Sequence, residues 1–562
     1  MGRAPLASER AQSGLIAALF HDSDMRTRLV SIAILAVFAV LALRAASIAL
    51  AGDGAVSDRA RLVSDLPRRS DIVDRNGVLL ATSVTAYSVY ADPRAMMDPA
   101  LVTDQLLQAL PDLDRDTIFS RLSNKDRAFV WIKRGLTPRQ RQKVFELGLE
   151  GVGFREETRR AYPRGHLAGH VLGYAGADGQ GLSGIEHRLE DRLRKGGAPV
   201  RLSLDANVQF SLEAELADAV DRFDAEAGAG VVLQAKTGEV LGLASWPVLN
   251  PNLGTRIDRG APELLNRASA AVYELGSVYK PLTVGLALER GTIQTQQRFA
   301  VDKPIEIRGQ LIEDDHPIAP RATPLEIVSD SSNIGTVRVA QTLSQSEHRV
   351  GLDALGLLSR PDIDLTGVAR PLVPEDWDEL TRATVSYGHG IAVSPLMLAS
   401  AYTVFANEGV RRSPRLVLDE EGEPVRGVDG TRVFSSATNA RLIEMLRHAV
   451  EFGTGTRANV PGYAVAGKTG TAEKPIAGGY SEDENICSFA AIFPADSPEF
   501  VVLIVLDAPK SGESWGRTAS WNAAPTAGRV VERIAPILGV EPELSAAIGP
   551  RLSDEASEGS RL

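Results

Sequence analysis

Residues 462–474 read GYAVAGKTGTAEK, and the fold turns on what the lysine at 468 is for. By spacing, the run satisfies G-x-x-x-x-G-K-[ST], the loop with which nucleotide hydrolases cradle phosphates. It also contains K-T-G, a signal of acyl transfer by an activated serine. The phosphate reading needs a helix opening at the lysine, so that its first N–H groups face the phosphates. Here the lysine is followed by TGTAEKPIAGGYSEDEN, where Pro475, Gly478 and Gly479 exclude a helix of useful length. Small and β-branched residues around Lys468 predict a strand instead. A second K-T-G, in VVLQAKTGEVLGLAS (231–245), reads as a turn between two strands, with Gly238 supplying the unusual backbone angle and Lys236 solvated.

The start of the chain bears on the same choice. LVSIAILAVFAVLAL (29–43) is free of charge, Arg44 interrupts it, and AASIALAG follows. A bilayer core takes about 20 apolar residues, a length that 29–50 reaches if Arg44 snorkels to the interface. Arg26 and Arg28 before the run favour an N-terminus kept in the cytoplasm. The alternative is a signal peptide cleaved at ALAG (49–52), for which residues 1–28 are a long leader. Either way, everything after residue 52 is expected outside the cytoplasm, where no nucleotide supply exists. The apolar run FVVLIVLD (500–507), ending in Asp507, therefore does not rescue the phosphate reading.

The remaining composition is ordinary for a globular protein, 44% hydrophobic and 24% charged, and 562 residues leave room for a large enzyme core. A net charge of −11 gives no basic footprint for nucleic acid. Cys487 is the only cysteine, which excludes internal disulfides and cysteine-based metal sites. His166 and His170, in RGHLAGH, lack the H-E-x-x-H pattern and are expected to be structural, so no metal or cofactor is expected.

Lys468 becomes catalytic only in company, because attack on an amide needs an activated hydroxyl, a base, a proton relay and an oxyanion site. ELGSVYKPLTVGLALERG (274–291) offers Ser277 and Lys280, three apart and so on one face of a helix. Leu282, Val284, Leu286 and Leu288 would bury that helix, and Pro281 suits its first turn. SDSSNIGT (329–336) offers Ser331 and Asn333, which alone would read as a polar loop or helix cap. S-x-x-K, S-x-N and K-T-G thus occur in one order along the chain.

With these signals in that order, the chain resembles the class B penicillin-binding proteins, the peptidoglycan transpeptidases, and among them the division-specific FtsI type. RRSDIVDRNGVLLATS (68–83) resembles that family's R-G-x-I-x-D-R-N-G segment, with Ser70 in the glycine place. RRAYPRGHLAGHVLGYAG (159–176) and GLSGIEHRLEDRL (181–193) resemble motifs of its non-catalytic pedestal. RATVSYGHGIAVSPLMLASAYTVFANEG (382–409) resembles its helix-entry region, with His389 in place of the usual aromatic or polar residue.

The resemblance implies an α+β transpeptidase domain, an antiparallel sheet flanked by helices, behind an elongated strand-rich pedestal and one transmembrane helix. The expected layout is a cytoplasmic tail (1–28), an anchor (29–51), the pedestal (52–205), the catalytic domain (206–540) and a disordered tail (541–562). Ser277 is the expected nucleophile toward the D-Ala–D-Ala of a stem peptide, and Lys280, uncharged through burial and the nearby Lys468, the base. Ser331 would relay a proton to the leaving amine, and Asn333 would hold Lys280 and the stem's amide. The N–H groups of Ser277 and Thr471 would form the oxyanion hole. Lys468 and Thr469 would take the terminal carboxylate, and Gly470 would leave room for the peptide. β-Lactams should acylate the same serine. The implied partners are peptidoglycan stem peptides, an FtsW-type glycan polymerase and other division proteins, at the inner membrane and the septum. The rivals are an elongation-specific transpeptidase, a β-lactamase and a membrane-bound penicillin sensor without turnover.

Overall fold

The computed structural model describes residues 29–47, 68–419, 430–510 and 514–543. The expected cytoplasmic tail (1–28), the end of the anchor (48–51) and the tail beyond 543 lie outside these residues. Helix α1 (Leu29–Ser47) has a mean hydropathy of 2.5 and carries its apolar side chains exposed. By length and composition it fits a single crossing of a bilayer.

Residues 68–543 belong to a separate unit, built on two five-stranded sheets with three two-stranded ones beside them among the described residues. The first contains β1 (Ile72–Val73), β2 (Leu79–Ala91), β3 (Val130–Leu136), β4 (Val152–Ala161) and β5 (Val200–Arg201). Strand β2 pairs antiparallel with β1, β3 and β4, and β1 pairs parallel with β5. Three helices cover its outer end: α2 (Pro99–Ala109), α3 (Arg115–Ser123) and α4 (Pro138–Glu146). Asp98 and Asp114 cap the first two, and Thr137 with Gln140 makes a capping box on the third. The head so formed has its own core, which includes Val89, Leu106, Leu110, Ile118, Leu122, Val130 and Ile132.

The second sheet consists of β6 (Ala227–Gln234), β7 (Val240–Trp246), β8 (Ala466–Ile476), β9 (Gly479–Phe493) and β10 (Phe500–Asp507). It is antiparallel throughout, in the order β8-β9-β10-β6-β7, so β8 is an edge strand. Its longer helical partners are α5 (Ala206–Arg222), α6 (Lys280–Glu289), α7 (Asn333–Gln341), α8 (Ser436–Glu451) and α9 (Ala523–Ile534). Alternate residues of each strand serve opposite faces. Val502, Ile504 and Leu506 pack with α5 and α9, while Val501, Leu503 and Val505 join the core around α6. The earlier K-T-G forms the β6–β7 turn, with Gly238 at φ +77° and Lys236 exposed, as its sequence predicts.

The base of the pedestal has no core of its own. Ile72, Leu80, Val171, Ile185, Leu193 and Val200 belong to one apolar cluster with Leu233, Leu243 and Leu275 of the catalytic half. The D-R-N-G segment makes the joint: the Asp74 carboxylate accepts from the N–H groups of Asn76 (2.8 Å), Val78 (2.7 Å) and Ala206 (2.9 Å), the last opening α5. Beside it, Glu186 is buried between Arg69 and Arg160, each donating to it at 2.6 Å. His170 is buried with a ring nitrogen 2.9 Å from the Glu263 carbonyl oxygen, a structural setting that pushes the imidazole down to about 4 through burial.

Candidate active site

Ser277 lies on a 3₁₀ turn, Gly276–Tyr279, which feeds α6 at Lys280. The sequence reading put both residues on one α-helix; the tighter turn instead eclipses positions i and i+3. Ser277 is half-buried, and its hydroxyl has no hydrogen-bond partner among the described residues. Lys280 is 1% exposed. Its ammonium donates to the carbonyl and the hydroxyl of Ser331, the latter at 3.1 Å.

Ser331 is the hub of the arrangement. It follows the helix Pro324–Ser329, which ends at Asp330, and precedes Ser332, the N-cap of α7. Held between two helices, it takes φ +63°, a left-handed conformation that serine rarely adopts. Its hydroxyl also accepts from Lys468 Nζ at 3.0 Å, so both lysines converge on one oxygen. Lys468, fully buried on β8, further donates to the Thr469 carbonyl (3.1 Å), the Thr469 hydroxyl (3.1 Å) and the Thr454 hydroxyl (3.3 Å). The Thr454 and Thr469 hydroxyls lie 2.8 Å apart. Thr454 is a site residue that the sequence reading missed; its only signal is GTGT (453–456), one of many Gly/Thr turns in the chain.

Two expected roles look different in the structure. Asn333 opens α7 but turns its amide to the Glu313 carbonyl at 2.8 Å, and Lys280 is held by Ser331 instead. The space beside Gly470 is filled by protein: an added Cβ would lie 2.2 Å from the Leu275 carbonyl oxygen and 2.4 Å from the Ser488 hydroxyl. The glycine therefore admits the turn carrying Ser277. Gly276 and Gly388 do the same, with added Cβ atoms 2.8 Å from the Thr471 carbonyl oxygen and 2.2 Å from that of Gly276 respectively. The Thr471 hydroxyl accepts from the Ala519 N–H at 3.0 Å, while its backbone lies on the exposed edge of the sheet beside the Ser277 turn.

Burial decides the charge of the two amines. It pushes Lys280 down to about 8, with Asp315 and Asp314 opposing the fall. Lys468 is pushed further below the ordinary lysine range, first by burial and then by the positive charge of Lys280. The two positive charges disfavour one another, so the pair does not readily hold two protons at once. Two such amines sharing one hydroxyl form a proton-transfer chain that can work near neutrality.

His389, the departure in the YGHG segment, sits at the same cleft. Its Nδ1 lies 3.3 Å from Glu274, which also accepts from the Gly390 N–H (3.0 Å) and the Tyr480 hydroxyl (3.2 Å). The His389 ring packs on Tyr480 with centroids 4.5 Å apart.

Known proteins share this architecture. Residues 228–532 match the penicillin binding protein transpeptidase domain and residues 64–210 the penicillin-binding protein dimerisation domain. The chain is 40% identical over 489 residues to the probable peptidoglycan D,D-transpeptidase FtsI of Caulobacter vibrioides, covering 84% of this chain and 82% of that one. It is 30% identical over 509 residues to the peptidoglycan D,D-transpeptidase FtsI of Escherichia coli K12, covering 84% of each. The solved structure of penicillin binding protein 3 from Mycobacterium tuberculosis, complexed with aztreonam, superposes with a TM-score of 0.67 at 27% identity, covering 86% of this chain and 99% of that one. An S-x-x-K serine, an S-x-N serine and a K-T-G lysine gathered on this fold place the chain in the class B penicillin-binding proteins, as a peptidoglycan D,D-transpeptidase of the FtsI type.

Proposed function

We propose that Ser277 is the residue acylated by the stem peptide, and that Lys280, Ser331 and Lys468 move the protons. Ser277 Oγ attacks the carbonyl carbon between the two D-Ala residues and gives its proton to the neutral Lys280. Negative charge on the carbonyl oxygen develops against the N–H groups of Ser277 and Thr471. Collapse of that intermediate expels D-Ala, whose nitrogen takes a proton passed through the Ser331 hydroxyl. The amine of a neighbouring stem then attacks the ester, the new amide forms and Ser277 recovers its proton. Thr469, with Lys468, would receive the terminal carboxylate, and the free edge of β8 can pair with the extended stem. Asn333 then serves by opening α7 and through the stem's amide. The observation that carries this reading is the convergence of Lys280 and Lys468 on the Ser331 hydroxyl, at 3.1 and 3.0 Å.

By the same reading α1 anchors the chain in the inner membrane with the catalytic half outside the cytoplasm. The pedestal corresponds to residues 52–205 and the transpeptidase domain to 206–540. The work belongs to the septum, beside an FtsW-type polymerase. The test is fluorescent penicillin on membranes: one labelled band that survives Lys236→Ala and disappears in Ser277→Ala. Labelling that persists without Ser277 rejects the assignment, and rounded cells rather than filaments on depletion reject the septal role.

A further inference from the structure

Glu313 and Asp314 take no part in the proton transfers above, yet both are bonded to the stretch Ser332–Ile334 that follows Ser331. The Glu313 carbonyl accepts from the Asn333 amide at 2.8 Å. The Asp314 carboxylate accepts from the Ser332 hydroxyl at 2.7 Å through one oxygen and from the Ile334 N–H at 3.0 Å through the other. The Ser332 hydroxyl in turn accepts from the Gly335 N–H at 2.8 Å. Asp314 therefore grips both sides of the α7 N-terminus, directly after the left-handed Ser331. A serine at φ +63° persists only where its surroundings over-determine it.

We propose that Asp314 is a positioning residue for catalysis: its carboxylate clamps Ser332 and Ile334 and so holds Ser331 in the one backbone conformation that offers both its oxygens to Lys280. A neutral side chain, or no clamp, would let residue 331 relax toward ordinary backbone angles and take its hydroxyl out of reach of the two lysines. Asp314 has a second effect through its charge. The groups that face Lys280 and Lys468 are each other, Asp314 and Asp315, with Asp330 near Lys468. A negative Asp314 favours a protonated Lys280, so its removal makes that amine neutral at a lower pH.

This inference rests on the reading of Ser277, Lys280, Ser331 and Lys468 as the reacting set. The experiment measures the second-order rate of β-lactam acylation against pH for the full chain in detergent, in wild type, Asp314→Asn, Ser332→Ala and the double variant. Asp314→Asn is expected to lower the plateau rate on the order of tenfold or more, as misplacement of a reacting group does. It should also move the rising limb to lower pH. Ser332→Ala removes a hydrogen bond of the clamp without changing charge, so it should lower the plateau and leave the limb in place. The double variant should fall short of the product of the two single effects, as residues of one network do. Unchanged plateau and limb in Asp314→Asn, or fully multiplicative effects, overturn the proposal. A lowered plateau with an unmoved limb in Asp314→Asn overturns its electrostatic half. Should Ser277→Ala still be acylated, the site reading falls first; if only the Asp314 results fail, the site reading stands.

Discussion

At the scale of single residues, burial is what turns ordinary side chains into a reactive set. Lys280 sits at about 8 because burial disfavours its charge, so its neutral fraction grows as pH rises through that value. Acylation by a β-lactam should therefore climb with pH to a plateau above about 8, measured by stopped-flow with a chromogenic cephalosporin. Lys280→Ala should lose about 10²–10⁴-fold and the rising limb with it. Gly470→Ala puts a methyl 2.2 Å from the Leu275 carbonyl oxygen, which must push back the turn bearing Ser277. Overpacking of this kind costs about 1–3 kcal/mol, and the acylation rate should drop at least tenfold while the protein still folds. Ser277, Lys280, Ser331 and Lys468 were legible in the sequence because each occurs in a short signal of fixed order. Thr454 and Asp314 were not, because a threonine in a Gly/Thr turn or an aspartate in a loop carries no mark of its distant partner. The strain at Ser331 was equally hidden, since it arises only where segments distant in sequence meet in the folded chain.

At the scale of elements, the choice between helix and strand at Lys468 was decided correctly by Pro475, Gly478 and Gly479. The strand nevertheless runs further than those residues suggest. β8 continues through Pro475 to Ile476, absorbing the proline in a register shift after Glu473, and the hairpin turns at Ala477 and Gly478. That extension brings Tyr480 to Glu274, three residues before Ser277, and so ties the hairpin to the turn and to the His389 loop. Glu274→Ala removes the acceptor for Tyr480, Gly390 and His389 together. Hydrogen exchange of the β8–β9 hairpin amides should then speed up, and acylation should slow with it. Tyr480→Phe, which keeps the ring against His389, should speed exchange at the hairpin tip and change acylation by no more than about threefold, the scale of one part-buried hydrogen bond. Equal effects of the two variants would mean that ring packing, rather than the carboxylate, fixes the hairpin.

At the scale of the whole molecule, the pedestal is divided by its packing: its base shares a core with the transpeptidase half and its head does not. The sequence showed the base motifs R-S-D-I-V-D-R-N-G and G-L-S-G-I-E-H-R as family signals but could not show that they pack on Leu233 and Leu243, far along the chain. The consequence is a difference in reach between two lesions of the same pedestal. Glu186→Ala leaves Arg160 buried without its carboxylate and Arg69 with Glu190 alone, a loss of about 3–5 kcal/mol for a buried pair. Because that site is continuous with the catalytic core, the temperature at which penicillin binding is lost should fall with it. Leu106→Ala, in the head, carries a comparable penalty of about 2–5 kcal/mol but opens its cavity in a separate cluster. Its penicillin-binding transition should stay near the wild-type temperature while proteolysis of residues 93–150 accelerates. If both variants shift penicillin binding alike, head and base act as one cooperative unit in spite of their separate cores. If neither does, the shared cluster is not coupled to the site, and the joint at Asp74 orients the transpeptidase half without stabilising it.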